Sequence, residues 1–337
     1  MDSHAPTPAE LARSLSAWAA EADDAAVAAL VAGNPGRLPD DVLRTIGREL
    51  LAAERNRLAP VRVAYLGPEH SFSHRAAALR FGETADLCPV ASIGATFDAV
   101  TRGETAFGLV PVENSTDGRV VDTLAAFARL AEADSSPVVI CGEVPLPIHH
   151  HLMSAGPRSA VKRVYSKPQA LSQCRGWLAE NLPGAEILPE SSTAAAAARA
   201  KTEPGAAAVG GERLAVEHGL TVLASQIEDN PRNVTRFAVL GTEPAEPTGD
   251  DRTALLLRIP HEPGSLADAL AVFARHEINL SLIESFPLPG GEPGYLFFLD
   301  CDGHAADPPV AACLRSLGRV AKSVSVLGSY PRVREAV

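Results

Sequence analysis

Three stretches of the chain differ in how apolar and polar residues alternate, and each predicts a different kind of element. From Met1 to about Pro60 the chain reads as helical. Pro8-Ala9-Glu10 opens one helix, ending near Gly33-Asn34-Pro35-Gly36. A second runs from about Pro39 to Leu58, with Val42, Ile46, Leu50 and Leu51 on one side. Two short amphipathic helices bury too little to stand alone, so they are expected to pack on a partner chain or on the following domain.

From about Arg62 to Gly241 short apolar runs interleave with helical segments. Val61 to Leu66 reads as a strand ending at Gly67-Pro68, and Phe107 to Val112 as another, ending at the polar turn Glu113-Asn114-Ser115-Thr116. Val138 to Ile140, Arg163 to Tyr165, Ala206 to Val209 and Phe237 to Leu240 follow. This pattern predicts an α/β fold with largely parallel sheet, where ligands bind beyond the carboxyl ends of strands. The alanine run Ala194 to Ala198 reads as helix. Thr242 to Asp251, TEPAEPTGDD, reads as a linker rich in proline and acid. Beyond it the order is strand, helix, strand, strand, helix, strand, a ferredoxin-like α+β pattern.

Composition narrows the function classes. The chain has 337 residues, 46% hydrophobic and 21% charged, enough to bury a large core. A formal charge of -11 with no basic run argues against nucleic-acid binding. Cys88, Cys141, Cys174, Cys301 and Cys313 are isolated, an odd count without zinc-ligand spacing, and read as reduced, mostly buried thiols. Neither a signal peptide nor a membrane-length apolar stretch is visible, so a soluble, cytoplasmic protein is expected.

The polar clusters are weak signals singly and specific in order. Ala64-Tyr65-Leu66-Gly67-Pro68-Glu69 with Ser71-Phe72-Ser73-His74 resembles the opening motif of prephenate dehydratases, usually AYLGPxGTFS. Val110-Pro111-Val112-Glu113-Asn114-Ser115-Thr116-Asp117-Gly118 is similar to their VPxENSxxG. Tyr165-Ser166-Lys167-Pro168-Gln169-Ala170 resembles SHPQA, and Asp229-Asn230-Pro231 with Asn233-Val234-Thr235-Arg236-Phe237 resembles DNxxNxTRF. Further on, His261 to Leu266 and Ile278 to Ser285 resemble an ACT domain, a ligand-sensing module.

The resemblance implies that prephenate loses water and carbon dioxide to give phenylpyruvate, without metal or organic cofactor. It also implies a fold like type II periplasmic binding proteins, with the active site between two α/β lobes. The first lobe would hold about 61–140 plus 230–241, the second about 141–229, and the ACT domain 252–332. Aromatisation drives the reaction, so the enzyme mainly holds a dianion and donates a hydrogen bond to the departing hydroxyl. The family pattern gives that donor to Thr235. Its plain alternative is an ordinary strand residue.

Arg236 could pair with a carboxylate. Adjacent strand residues face opposite sides, however, so it could instead brace the lobes. Ser71, Phe72 and Ser73 begin a helix whose N–H groups could cradle an anion, and Ser73 also suits an N-cap. Asn114, Ser115, Thr116, Lys167, Gln169 and Phe237 complete the candidate substrate contacts. Adjacent His149-His150-His151 cannot converge on one metal ion from an extended segment. Pro263, Gly264, Ser265, Leu266 and Ala267, with Asn279, Leu280, Glu284 and Ser285, are the candidate effector residues of an ACT dimer.

This sequence departs from the pattern in several places. Gly-Thr of the opening motif is His70-Ser71, the histidine of SHPQ is Lys167, and ESRP is Glu284-Ser285-Phe286-Pro287. Without that arginine, phenylalanine is expected to act weakly or not at all as effector. Leu38 to Leu58 resembles the last helix of a fused chorismate mutase domain, too short for activity and read as a degenerate remnant. Expected partners are prephenate, an amino-acid effector, and further copies in a homodimer or homotetramer, with neither nucleic acid nor membrane. Two other functions stay open: action on a prephenate analogue, as dehydratase or decarboxylase, and a non-catalytic amino-acid sensor.

Overall fold

The computed structural model describes residues 14–15, 18–19, 24–36, 38–132, 138–288 and 294–334. They fall into two compact units, residues 1–63 with 77–88, and residues 64–76 with 89–337.

In the first unit, helix α1 (Asp24–Ala32) packs on α2 (Asp40–Leu58). Gly47 allows this approach, since a Cβ there would lie 3.2 Å from Val27 Cγ1. The side chain of Asn56 fixes α2 to the segment after α3 (Phe72–Phe81), donating to Phe81 O at 3.1 Å and Thr84 Oγ1 at 3.0 Å. Glu49 accepts from Glu83 N at 3.2 Å. The predicted apolar stripe of α2 splits: Leu51 is buried, whereas Val42 and Ile46 are exposed. The predicted start of the first helix at Pro8 lies outside the described residues.

Among the described residues the chain forms three sheets. The first has the order β2 (Asp86–Val90), β1 (Arg62–Leu66), β3 (Phe107–Asn114), β11 (Val234–Gly241), β5 (Val139–Pro147), with the short β4 (Gly118–Arg119) on β3. β11 runs antiparallel to both β3 and β5. It re-enters this sheet from the second lobe, against its neighbours, so the sheet is not largely parallel as the alternating pattern suggested. Because β5 pairs with β11 as far as Pro147, the chain leaves the first lobe at 148–150 and not at 141.

The second sheet has the order β10 (Thr221–Ala224), β6 (His151–Ser154), β9 (Ala206–Gly210), β7 (Arg163–Ser166), β8 (Glu186–Pro189). Here β7 runs parallel to β8 and β9. The alanine run forms α8 (Thr193–Thr202), capped by Ser192, whose hydroxyl accepts from Ala195 N. Buried Ala196, Ala197 and Ala200 let this helix lie close on the equally small Ala206 and Ala208.

The last sheet is ferredoxin-like, with β12 (Asp251–Arg258), α10 (Ser265–Arg275), β13 (Leu280–Pro287), β14 (Tyr295–Asp302), α11 (Pro308–Leu317) and β15 (Ser323–Pro331) in the predicted order. Its strand order is β13-β14-β12-β15, leaving β13 at an edge. One face is covered by α10 and α11, through Leu255, Leu257, Val272, Phe273 and Leu317. The other face shares a core with the first lobe. Phe298 meets Phe127 of α5 (Val121–Glu132) at 6.0 Å between ring centroids, and Phe127 meets Phe97 of α4 (Ile93–Thr101) at 5.0 Å.

Candidate active site

Thr235 enters the sheet as the second residue of β11, opposite Asn114, the last residue of β3. Asn114 is 6% exposed, and its amide is used completely. Its Oδ1 accepts from Thr116 N and Asp117 N, both at 2.9 Å, which fixes which end of the amide is which. Its Nδ2 donates to Asn233 Oδ1 and to Thr235 Oγ1, both at 2.8 Å. A hydroxyl has one proton and two lone pairs. Thr235 therefore accepts from Asn114 and keeps its own proton free to donate.

From Asn233 the chain of amides continues into the second lobe. Asn233 Nδ2 donates to Gln173 Oε1 at 3.0 Å, which also bonds His150 Nε2 at 2.8 Å. Gln173 and Gln169 lie one turn apart on α6 (Pro168–Gln173), and both donate to Asp117 Oδ2. Since Gln173 Oε1 only accepts, His150 carries its proton on Nε2. Burial lowers the pKa of His150, which agrees with a neutral ring. Phe72 reaches across from the first lobe and meets the His150 ring edge-on at 5.5 Å.

The neighbouring histidines go separate ways. His149 Nδ1 pairs with Glu228 Oε1 at 2.7 Å, and His150 N donates to Glu228 Oε2 at 2.8 Å. Burial opposes the charge on Glu228, yet these bonds hold its carboxyl below the usual range. Among the described residues there is no group of three or more histidine, cysteine or acidic side chains placed to hold a metal.

Several predicted ligands also make bonds within the protein. Ser115 Oγ donates to Arg232 O at 3.0 Å and accepts from Val234 N at 2.9 Å, clamping the ends of β3 and β11. Ser71 caps α3, its hydroxyl accepting from His74 N at 3.3 Å. Thr116 Oγ1 accepts from Asn230. Phe237 is buried in the sheet. Arg236 points to the side of β11 opposite Thr235, where it bonds Glu113 and Asp300, so the lobe-bracing alternative describes it better than a substrate contact. Ser73 is buried at the start of α3, and Lys167 is exposed at the start of α6; both remain available.

The residues brought together are thus Thr235, Asn114, Gln169 and Phe72, with Asn233, Gln173, Asp117 and His150. Of these last four, Asn233 sat in a quoted motif, and Gln173 was detectable as a second amide at i+4 from Gln169 on one helix face. Asp117 and His150 gave no signal beyond their motifs. The departure at His70 has a backbone meaning: its φ is +63°, a conformation glycine adopts without strain.

A separate cavity of about 420 Å³ lies on the ferredoxin-like domain, at the start of α10. Gly264, Leu266 and Ala267 line it, together with Ile259, His261, Leu270, Tyr295 and Phe297. Asn279, Leu280, Glu284 and Ser285 lie on or beside the edge strand β13 and do not line this cavity. Phe286 packs with Leu288, Leu296 and Phe298 in the core shared with the first lobe. Phe286, which stands where the family pattern has arginine, is therefore a core residue and does not line the cavity.

A family model described as prephenate dehydratase matches residues 63–245, and one described as ACT domain matches residues 253–319. A bifunctional chorismate mutase/prephenate dehydratase of Stutzerimonas stutzeri is 42% identical over 301 residues, 89% of this chain and 81% of that protein. A match of that length reaches into the helices before residue 61. The prephenate dehydratase of Amycolatopsis methanolica is 37% identical over 275 residues, 80% of this chain and 88% of its own. Among solved structures, prephenate dehydratase from Arthrobacter aurescens in complex with L-Phe matches with a TM-score of 0.74 at 36% identity, covering 81% of this chain and 90% of that one.

Proposed function

The chain belongs to the prephenate dehydratase family, and from that premise we propose that it converts prephenate to phenylpyruvate, with Thr235 as the hydrogen-bond donor to the leaving hydroxyl. The observation that carries this reading is the Asn114–Thr235 bond, which spends a lone pair of the threonine and leaves its proton free. As the ring C–O bond breaks, charge gathers on the departing oxygen, and a donor already in place strengthens its bond without reorganising. The ring's electrons are completed by loss of the carboxylate as carbon dioxide. Threonine need not ionise at any point, so this role does not depend on its poor acidity. Ser73 and Lys167 are read as contacts for the two carboxylates.

The test is turnover of prephenate followed by phenylpyruvate absorbance, with and without L-phenylalanine. Thr235→Ala is expected to lower kcat about 10²–10³-fold, the usual cost of one donor to a developing oxyanion, while Thr235→Ser keeps most of it. A Thr235→Ala enzyme within tenfold of the parent would end the assignment. A non-aromatic product would favour decarboxylation of the ring without dehydration, and binding without turnover would favour the sensor.

The ACT domain is read as an amino-acid sensor, with the cavity at the start of α10 as one wall of its site. A lining that is apolar apart from His261 and Glu262, around a helix N-terminus, is read as suiting an amino acid with an aromatic side chain. The chain is read as a homodimer or homotetramer acting in the cytoplasm, with five cysteines that form no disulfide in keeping with a reducing compartment. Helix α2 is read as the remnant of a mutase's last helix, serving as packing rather than catalysis.

A further inference from the structure

We propose that Arg236 and Arg119 are positioning residues through which the ACT sheet holds the two strand ends that carry Thr235 and Asn114. This rests on the reading of Thr235 as donor, and it adds a part of the molecule that touches no substrate.

Arg236 follows Thr235 on β11, and Glu113 precedes Asn114 on β3; the two pairs face each other in register. On the side away from the cleft, Arg236 Nε donates to Glu113 Oε1 at 2.8 Å. Its Nη2 donates to Asp300 Oδ2 on β14 at 2.7 Å, and its Nη1 to the Tyr330 hydroxyl on β15 at 3.3 Å. One guanidinium therefore ties both strands of the Thr235–Asn114 pair to two strands of the ACT sheet. A second arginine repeats the pattern, since Arg252 on β12 donates to Glu143 on β5 at 2.6 Å, and Glu143 also lies 3.6 Å from Arg236.

Burial makes these contacts stiff. Arg236 is 7% exposed and Asp300 is 0% exposed, so neither has water to fall back on when the other moves. A register shift between Arg236 and Phe237 marks a β-bulge directly after the arginine. Bulges re-aim the side chains beside them. This one lies directly after Arg236, and the pairing with β3 resumes at Phe237 and Pro111.

The second tie lies nearer the surface. Arg119 on β4 pairs in register with Glu113, and its Nη1 donates to Glu284 Oε2 on β13 at 2.8 Å. Strand β4 closes the turn Asn114–Asp117, the turn whose N–H groups orient the Asn114 amide. β13 is an edge strand of the ACT sheet, exposes Ile283 and carries Glu284 beside it. A displacement of β13 or β14 must then either break an ion pair or move the strand ends, and the Asn114–Thr235 bond has little tolerance for movement.

The full chain tests this with Arg119→Ala and Glu284→Ala, a partly exposed pair whose loss leaves the fold intact, and with Arg236→Lys and Asp300→Asn. Each is expected to lower kcat about tenfold to a hundredfold, the scale of a misplacement near 1 Å, with KM for prephenate little changed. The Arg119/Glu284 double variant is expected to be no worse than either single variant. Hydrogen exchange is expected to rise in the segments 112–119 and 232–237 of Arg119→Ala. Wild-type kcat in Arg119→Ala and Glu284→Ala, or Arg236→Lys and Asp300→Asn enzymes with a lower melting temperature and unchanged kcat, would overturn the proposal. If the parent chain fails to turn over prephenate, the function falls. The positioning claim is then judged by exchange alone, and unchanged protection in both segments would overturn it.

Discussion

The amide of Asn114 has two N–H donors, and one is given to Thr235 Oγ1 while both acceptor pairs go to backbone N–H groups. Replacing Asn114 by aspartate keeps the shape and inverts the polarity. An ionised carboxylate only accepts, so the Thr235 proton would turn inward toward residue 114 and away from the cleft. Asn114→Asp is therefore expected to lower kcat about 10²-fold at neutral pH, on the scale of one lost oxyanion donor. The loss should shrink as the pH falls and the new carboxyl regains a proton to donate. A pH–kcat profile parallel to that of the parent would refute this account of Asn114. The conflict between Thr235 and Arg236 was legible in the sequence, because strand alternation forbids both from facing one side. Where Arg236 goes was not legible, because its partners Glu113, Asp300 and Tyr330 lie far off in sequence and join only once the ACT sheet is docked.

At the scale of elements, the crossing from β5 to β6 carries three histidines, and two of them have a lowered pKa because burial disfavours the charged ring. For His150 the Nδ1 atom is buried without a hydrogen-bond partner among the described residues, so a second proton there would have no acceptor. A folded-state value below the unfolded one of about 6.5 means that the neutral ring belongs to the fold. Its contribution to stability is fully present above that pH and is lost as pH falls through the lower folded value. Thermal melts are expected to show a midpoint that drops between pH 7 and pH 5, and a shallower drop for His150→Gln, which keeps an amide donor toward Gln173. An unchanged slope in that variant would remove His150 as the cause. Around this crossing the start of β5 was legible at Val138 to Ile140 and β9 at Ala206 to Val209, whereas β6 and β10 were not. Sheet membership was not legible either: nothing local in Val139 to Pro147 says that it pairs with β11, nearly a hundred residues later. The outward turn of Val42 and Ile46 on α2 was equally hidden, because a helical stripe tells which residues share a face and not which part of it finds a neighbour.

For the molecule as a whole, the catalytic first lobe and the ACT domain share one core, from Phe97 and Phe127 to Phe298 and Leu327. The linker and the βαββαβ order suggested two separable domains, but that order leaves one sheet face bare, and the first lobe covers it. At Gly328 of β15 the approach is close, and a Cβ there would lie 2.0 Å from the carbonyl oxygen of Ile140 on β5. Its φ of +156° is also one that side-chain-bearing residues rarely adopt. Gly328→Ala must push two backbones apart at a place already joined by the Arg236 and Arg252 ion pairs, and is expected to cost about 1–3 kcal/mol or more, the range for overpacked cores. The informative measurement is where that loss appears. If the shared core makes the two parts one cooperative unit, amides of β3 and β14 open with the same free energy in denaturant-dependent hydrogen exchange, and Gly328→Ala lowers both equally. Loss of protection confined to β12, β14 and β15, with β3 and β11 unchanged, would show that the ACT domain opens on its own. The route from its edge strand to Thr235 would then be too loose to set the position of the donor.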